Sequence, residues 1–181
     1  MVCSVFNKAG KPVTLHRTYL TPDGLRPHGL TPKKVMPVPG DVSLMGSSIW
    51  LSEKCATAPI VAVTEGVETG IAVQLATGIP TFAAVTANGM KAWEALPSVR
   101  QVFVYADKDR PVQSGGRMIE PGQDAAKQLV ASLWKNKVQA SVILPGIDIP
   151  EGRKNIDWAD LYAKYGKSAF ASVEDKEVKR G

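Results

Sequence analysis

Ile60-Val61-Ala62-Val63-Thr64-Glu65-Gly66 is the stretch on which the fold turns. Its first four residues form a short apolar run without polar alternation, the pattern of a strand covered on both faces. Glu65-Gly66 then opens a helical stretch that continues through Leu75 and is broken by Gly78 and Pro80. The texture recurs downstream: a strand over 81–85, a helix over 88–96, a strand over 101–105, a longer helix from about 122 to 135, and a strand over 138–144. In the longer helix Ala125, Ala126, Leu129, Val130, Leu133 and Trp134 recur at helical spacing and give it one buried face. A last helix is expected over 156–164, with Asn155 as N-cap and Gly166 as its stop. Such strands, alternating with helices, predict an α/β fold: a mostly parallel, Rossmann-like sheet flanked by helices.

Upstream the punctuation changes. Val2 to Phe6 and Val13 to Leu20 flank Asn7-Lys8-Ala9-Gly10, the pattern of two strands joined by a short turn. From Pro22 to Gly46 the chain carries Pro22, Pro27, Pro32, Pro37 and Pro39 with Gly24, Gly29, Gly40 and Gly46, which no regular helix or central strand tolerates. One more short strand is expected over 48–51. The chain therefore divides into a small β-rich lobe with a Pro-rich loop (1–58), the α/β domain (59–168) and a charged, frayed tail (169–181).

Composition narrows the classes of function without choosing among them. The 181 residues are 44% apolar and 22% charged, with a mean hydropathy near zero, as in soluble globular proteins. No run is long enough to span a membrane, and Asn7, Lys8 and Lys11 interrupt any signal-like stretch, which makes the cytoplasm the expected location. Cys3 and Cys55 lack the paired spacing of a zinc site and read as two reduced thiols. The net charge of +5 comes from scattered basic residues, so charge alone does not separate a nucleic-acid binder from a basic cytosolic enzyme.

In an open parallel sheet, ligands gather at the carboxyl ends of the strands. Glu65 directly follows one predicted strand, and Asp107 and Asp109 follow another that ends at Tyr105 and Ala106. If those strands are neighbours, three carboxylates converge. Their mutual repulsion calls for a counter-charge, and a hard divalent cation such as Mg2+ or Mn2+ supplies it with a few carboxylate oxygens, waters and phosphates. Such an ion neutralises charge on a transferring phosphoryl group, while Glu65 either handles a proton or completes the metal shell. Taken singly, an Asp-x-Asp is ordinary turn chemistry and a Glu-Gly is an ordinary helix start. Their joint placement at two strand ends carries the reading.

With those residues in place, Val63-Thr64-Glu65-Gly66-Val67-Glu68-Thr69 and Tyr105-Ala106-Asp107-Lys108-Asp109 resemble the TOPRIM domain of bacterial-type primases, topoisomerases and some nucleases. The resemblance covers roughly residues 59–165. Gly122-Gln123-Asp124-Ala125-Ala126 is similar to the helix start of the primase branch, and Asn155-Ile156-Asp157-Trp158-Ala159-Asp160-Leu161 to a stretch near that branch's C-terminal end. Leu15 to Gly24, with Pro32-Lys33-Lys34, resembles the lobe preceding TOPRIM in phage- and plasmid-type primases. The resemblance implies a general acid or base at Glu65 and magnesium ligands at Asp107 and Asp109. It also implies RNA primer synthesis on a single-stranded DNA template from nucleoside triphosphates, with zinc-binding or helicase modules as partners. Because neither module fits here, the chain is expected to be a fragment or a short phage-derived relative.

Two departures stand out. The loop 110–121 is longer than the link expected after the aspartates, and reads either as a DNA-contacting flap or as decoration. Lys108 stands where the branch often has Asn, and either holds phosphate or points to solvent. Asp157 and Asp160, one helical turn apart, either add to the acidic site or serve only as helix-start acids. Gly66, Lys91, Lys108, Arg110, Arg117, Arg153 and Lys154 are candidates for phosphate or nucleic-acid contact. Asp148 reads as structural, and His16 and His28 lack partner ligands. Trp93 and Trp134 fall on apolar helix faces and read as core, whereas Trp158 stays open between core and site. Rival functions are phosphodiester cleavage at the same site and a non-catalytic nucleic-acid-binding module in a replication assembly. A receiver-type phospho-acceptor is disfavoured by the Glu-Gly start.

Overall fold

The computed structural model describes residues 1–24, 29, 33–40 and 42–170. Pro27, His28, Pro32 and most of the expected tail lie outside them. Strands β1 (Val2–Phe6) and β2 (Pro12–Thr18) form the expected hairpin, and β3 (Lys33–Val35) pairs antiparallel with β2. The turn between β1 and β2 forms because the Asn7 side-chain oxygen accepts from the Ala9 and Lys11 amides while Gly10 takes φ +74.

The remaining elements are β4 (Ile49–Trp50), β5 (Ile60–Thr64), α1 (Val67–Thr77), β6 (Thr81–Ala83), α2 (Ala87–Lys91), β7 (Gln101–Tyr105), β8 (Lys108–Asp109), β9 (Val112–Ser114), β10 (Arg117–Ile119), α3 (Pro121–Lys135), β11 (Gln139–Ile143), β12 (Asn155–Ile156) and α4 (Trp158–Tyr165). A five-stranded sheet in the order β11-β7-β5-β6-β4 forms the centre. Three of its four pairings are parallel, and β4 closes one edge antiparallel to β6. The short strand expected in the N-terminal lobe thus hydrogen-bonds into the central sheet.

Both faces of that sheet are covered, as the unbroken apolar runs require. Val61 and Val63 of β5 pack with Val102, Val104, Phe82, Met90 and Leu129 beneath α2 and α3. Ala62, Phe103 and Tyr105 face the other way, against Val73 of α1 and Trp158 and Leu161 of α4. A third cluster (Val5, Val13, Ile49, Val67 and Ala83) joins the N-terminal strands to the sheet and the start of α1. Gly70 allows α1 to approach this closely, since a Cβ there would lie 2.7 Å from Leu51 Cδ1 and 2.9 Å from Thr64 Oγ1.

Several expectations need correction. The helix expected over 88–96 stops at Lys91, past which Trp93 turns into the core against Phe82, 5.1 Å away. Trp134 does not join the core: it is 60% exposed, its indole N–H donating to the Ala140 carbonyl at 2.9 Å on the edge strand β11. The last helix begins at Trp158 rather than Ile156, because Asp157 accepts from the Asp160 amide at 2.7 Å and takes the N-cap role expected of Asn155. Asn155 and Ile156 instead pair antiparallel with Asp109 and Lys108. The loop 110–121 contains a two-stranded hairpin, β9 with β10, turning at Gly115 (φ +55) and Gly116 (φ +76).

Candidate functional site

Glu65 and Asp107 leave the sheet on neighbouring strands at one level. β5 and β7 are adjacent and parallel, with Thr64 opposite Tyr105, so Glu65 and the Ala106-Asp107 pair emerge at the same carboxyl edge. Past Thr64 the chain enters α1 through Gly66, whose carbonyl accepts from Thr64 Oγ1 at 3.0 Å. Past Tyr105 it forms β8, and β12 pairs beside Asp109 and delivers Asp157 to the same edge. The condition set by the sequence, that the two strands be neighbours, is met.

These carboxylates feel one another. The Asp107 carboxyl is pushed up to about 7, first by burial and then by the charges of Asp157, Glu65 and Asp109, with the Thr69 hydroxyl, 3.4 Å from its Oδ1, pulling the other way. Glu65 is also raised, by burial and by Asp109, and is held back by the Ala87 backbone amide and by Lys33. Lys33 reaches across from β3 and forms an ion pair with Glu68 Oε2 at 2.7 Å. Val85, a β-branched residue at φ +70, turns the chain between β6 and α2 just before Ala87, a strained conformation beside the site. Asp109 is held differently: its Oδ2 accepts from the Gly122 amide at 2.6 Å, and the Gln123 side chain is bonded to its backbone.

The matching family profile is that of the Toprim domain, over residues 60–168. The chain belongs to the Toprim family. Its fold is similar to three solved primase structures. The DnaG primase catalytic domain bound to ssDNA matches with a TM-score of 0.62 and 17% identity, over 96% of this chain and 50% of that one. A DNA primase domain from Pseudomonas aeruginosa matches at 0.59 and 16%, over 93% and 48%. The zinc-binding and RNA polymerase domains of Aquifex aeolicus primase match at 0.60 and 13%, over 97% and 39%. The chain thus spans about half the length of the first two structures, or less. No curated protein matches the sequence.

Around the Toprim acidic edge, several candidates have other occupations. Lys108 donates to the Ile147 carbonyl at 2.7 Å and meets Asp148 at 3.3 Å, so it points neither to open solvent nor at the carboxylates. Arg110 donates to the carbonyls of Arg153, Ile149 and Pro150, and Arg153 pairs with Asp160 at 2.7 Å. Together these hold the segment 147–153 beside β8. Lys91, Arg117 and Lys154 are exposed and form no ion pair among the described residues. Of the two helix-start acids, Asp157 acts on Asp107, while Asp160 is turned to Arg153.

Trp158 is buried, packed edge-on against Tyr105 and at a tilt against Phe170, which closes it to base stacking. His16 is buried in β2 with its Nδ1 unbonded, and burial pushes its pKa down. Gly66 needs no special backbone, and a Cβ there would meet only Glu68 Oε2 at 3.8 Å. Two surface clefts, one lined by Asn7 and Glu94 and the other by Trp93 and Asn136, lie away from the carboxylates. Among the described residues no three His, Cys, Asp or Glu side chains enclose a metal ion by themselves. The donor set suits an ion that keeps waters and takes substrate oxygens, as magnesium does. Thr69 and Gln123 bond to the two aspartates and Lys33 acts on Glu65, and none of the three was singled out as a site residue in the sequence. The signal for Gln123 was its place beside Gly122 at a helix start.

Proposed function

We propose that this Toprim domain carries out metal-dependent nucleotidyl transfer of the primase type: phosphodiester formation from nucleoside triphosphates on single-stranded DNA. The observation that carries the reading is the convergence of Glu65, Asp107, Asp109 and Asp157 at one strand edge, with Asp107 raised to about 7. Burying so many carboxylates together costs stability unless a cation joins them. Asp107 and Asp109 would hold Mg2+ or Mn2+, which when bound supplies charge neutralisation on the phosphoryl group. Asp157 adds negative charge from the start of α4, while Glu65, its carboxyl pushed up by burial and by Asp109, would accept and return the proton of an attacking hydroxyl.

Gly66 is a proposed phosphate or nucleic-acid contact, since the protein's own packing leaves space there that a ligand can use. Lys91, Arg117 and Lys154 are proposed phosphate contacts, their side chains exposed and without an ion pair among the described residues. Lys108 and Arg110 are proposed to serve the site by fixing the segment 147–153. Resemblance in Leu15 to Gly24 supports the phage- or plasmid-type branch, in which zinc-binding and helicase modules would complete the protein.

Primer synthesis on single-stranded DNA, run beside a nicking assay on duplex DNA, tests the direction of the reaction. Primers from wild type and none from Asp107→Ala/Asp109→Ala support transfer. Nicking without primers assigns the site to cleavage, and DNA binding without either activity assigns it to a binding module. A calorimetric Mn2+ titration in which wild type and the double variant bind equally would remove the metal site itself.

A further inference from the structure

We infer that Gln123 is a positioning residue for Asp109, fixing the carboxylate that the metal reading assigns to a divalent cation; the inference rests on that reading. β8 is only two residues long, with β12 paired beside it. At Asp109 the Gln123 side chain supplies a further rung of hydrogen bonds. The Asp109 amide donates to Gln123 Oε1 at 3.0 Å, and Gln123 Nε2 donates to the Asp109 carbonyl at 3.1 Å. A primary amide sets a carbonyl acceptor and an N–H donor side by side in one plane, and can satisfy both bonds at once. Gln123 is 3% exposed, so water does not replace it.

The neighbouring residue completes the arrangement. The Gly122 amide donates to Asp109 Oδ2, and a Cβ at Gly122 would lie 2.9 Å from that oxygen and 3.1 Å from the Asp107 carbonyl oxygen. The first turn of α3 therefore holds the backbone of Asp109 on both sides and one oxygen of its carboxylate. Among the described residues no group donates to the other oxygen, Oδ1, which stays available to a cation. Gln123 is not a helix cap: Glu120 occupies that position, without a side-chain cap bond. Its bonds end on Asp109, so its loss acts on the site before it acts on the helix. Partners one step removed from a metal commonly change affinity 10- to 100-fold.

The test is Mn2+ titration of the whole chain by calorimetry, with melting temperature recorded for each variant. Gln123→Met keeps the length of the side chain and removes both hydrogen bonds, and is expected to weaken Mn2+ binding at least 10-fold. Leu133→Ala, a buried change remote from the edge, should lower the melting temperature while leaving Mn2+ affinity unchanged. In an Asp109→Asn background, Gln123→Met should change the remaining affinity less than 2-fold. Gln123→Asn, one methylene too short to make both bonds, is the second variant and should fall with Gln123→Met.

Wild-type affinity in Gln123→Met overturns the inference, and so does an equal loss in both backgrounds, which would mean action through α3 rather than through Asp109. Failure of both Gln123 variants to fold overturns it as well, by making the amide a requirement of the fold. A wild-type chain that binds no Mn2+ removes the metal reading and this inference together; the other outcomes strike the inference alone.

Discussion

The two exits from the central sheet are built in opposite ways. After β5 the chain goes straight into α1: Glu65 is followed by Gly66, an extended N-cap residue with open space around it. After β7 the chain wanders through β8 and the β9–β10 hairpin before α3 begins. Its aspartates are then fixed by distant segments: Thr69 of α1, Gly122 and Gln123 of α3, and β12. One exit is short and open at Gly66; the other is held from several sides. The contrast assigns tolerance to Gly66 and intolerance to the surroundings of Asp109.

The sharpest way to break this contrast is Gly122→Ala. Its Cβ would lie 2.9 Å from an Asp109 carboxylate oxygen and 3.1 Å from the Asp107 carbonyl oxygen, so that carboxylate or the first turn of α3 must give way. Overpacking of this kind costs roughly 1–3 kcal/mol, despite the better helix propensity of alanine. Urea unfolding should report that loss, and Mn2+ affinity should fall with it. Unchanged stability would mean that the first turn of α3 is not docked on the aspartates.

Next in size is the pH dependence of metal-free stability. With its carboxyl raised to about 7, folded Asp107 keeps a proton that the unfolded chain has already released at the ordinary carboxylate value. The folded state then binds more protons in that window, so stability falls as pH rises from about 4 to about 7. The raised Glu65 adds to the slope in the same sense. Asp107→Asn removes the charge, and at pH 8 without divalent ions it should be more stable than wild type by roughly 1–3 kcal/mol. Mg2+ should stabilise wild type at that pH and leave the variant behind. Parallel pH profiles for the two proteins would refute the burial of this charge.

Asp157 separates its two duties by substitution. Asp157→Asn keeps an N-cap oxygen for the Asp160 amide and removes a charge near Asp107. It should move the stability slope toward lower pH with little cost to α4. Asp157→Ala also loses the cap and should cost about 1 kcal/mol more in thermal or urea unfolding. Equal stability of the two variants would show that the cap bond contributes nothing.

What could be read from the chain follows the same division. The strands β5 and β7 were legible because their residues are mostly apolar, and Glu65 was legible because it stands directly between the end of β5 and the start of α1. The start of α4 was misplaced because the pairing of Asn155 and Ile156 with β8 depends on residues far along the chain. Lys108 and Arg110 looked available for phosphate because their actual partners are carbonyl oxygens, which every residue carries and no sequence distinguishes. Trp134 fits its helix's apolar stripe, yet that stripe extends past the edge strand β11, where nothing among the described elements covers the ring.

The smallest expected effect tests the loose exit. Gly66→Ala places its Cβ 3.8 Å from Glu68 Oε2, an ordinary contact, on a backbone with φ −92 that any residue adopts. Stability should therefore change by no more than about 0.5 kcal/mol, the range of a harmless surface substitution. If the protein's own packing does not require glycine here, a bound ligand's approach to the backbone is what the methyl group would obstruct. Titration with a nucleoside triphosphate and Mn2+ should then show weaker nucleotide binding by Gly66→Ala at unchanged melting temperature and unchanged affinity for Mn2+ alone. Loss of stability would mean that this exit is as tightly held as the other, and the contrast between the two would fall.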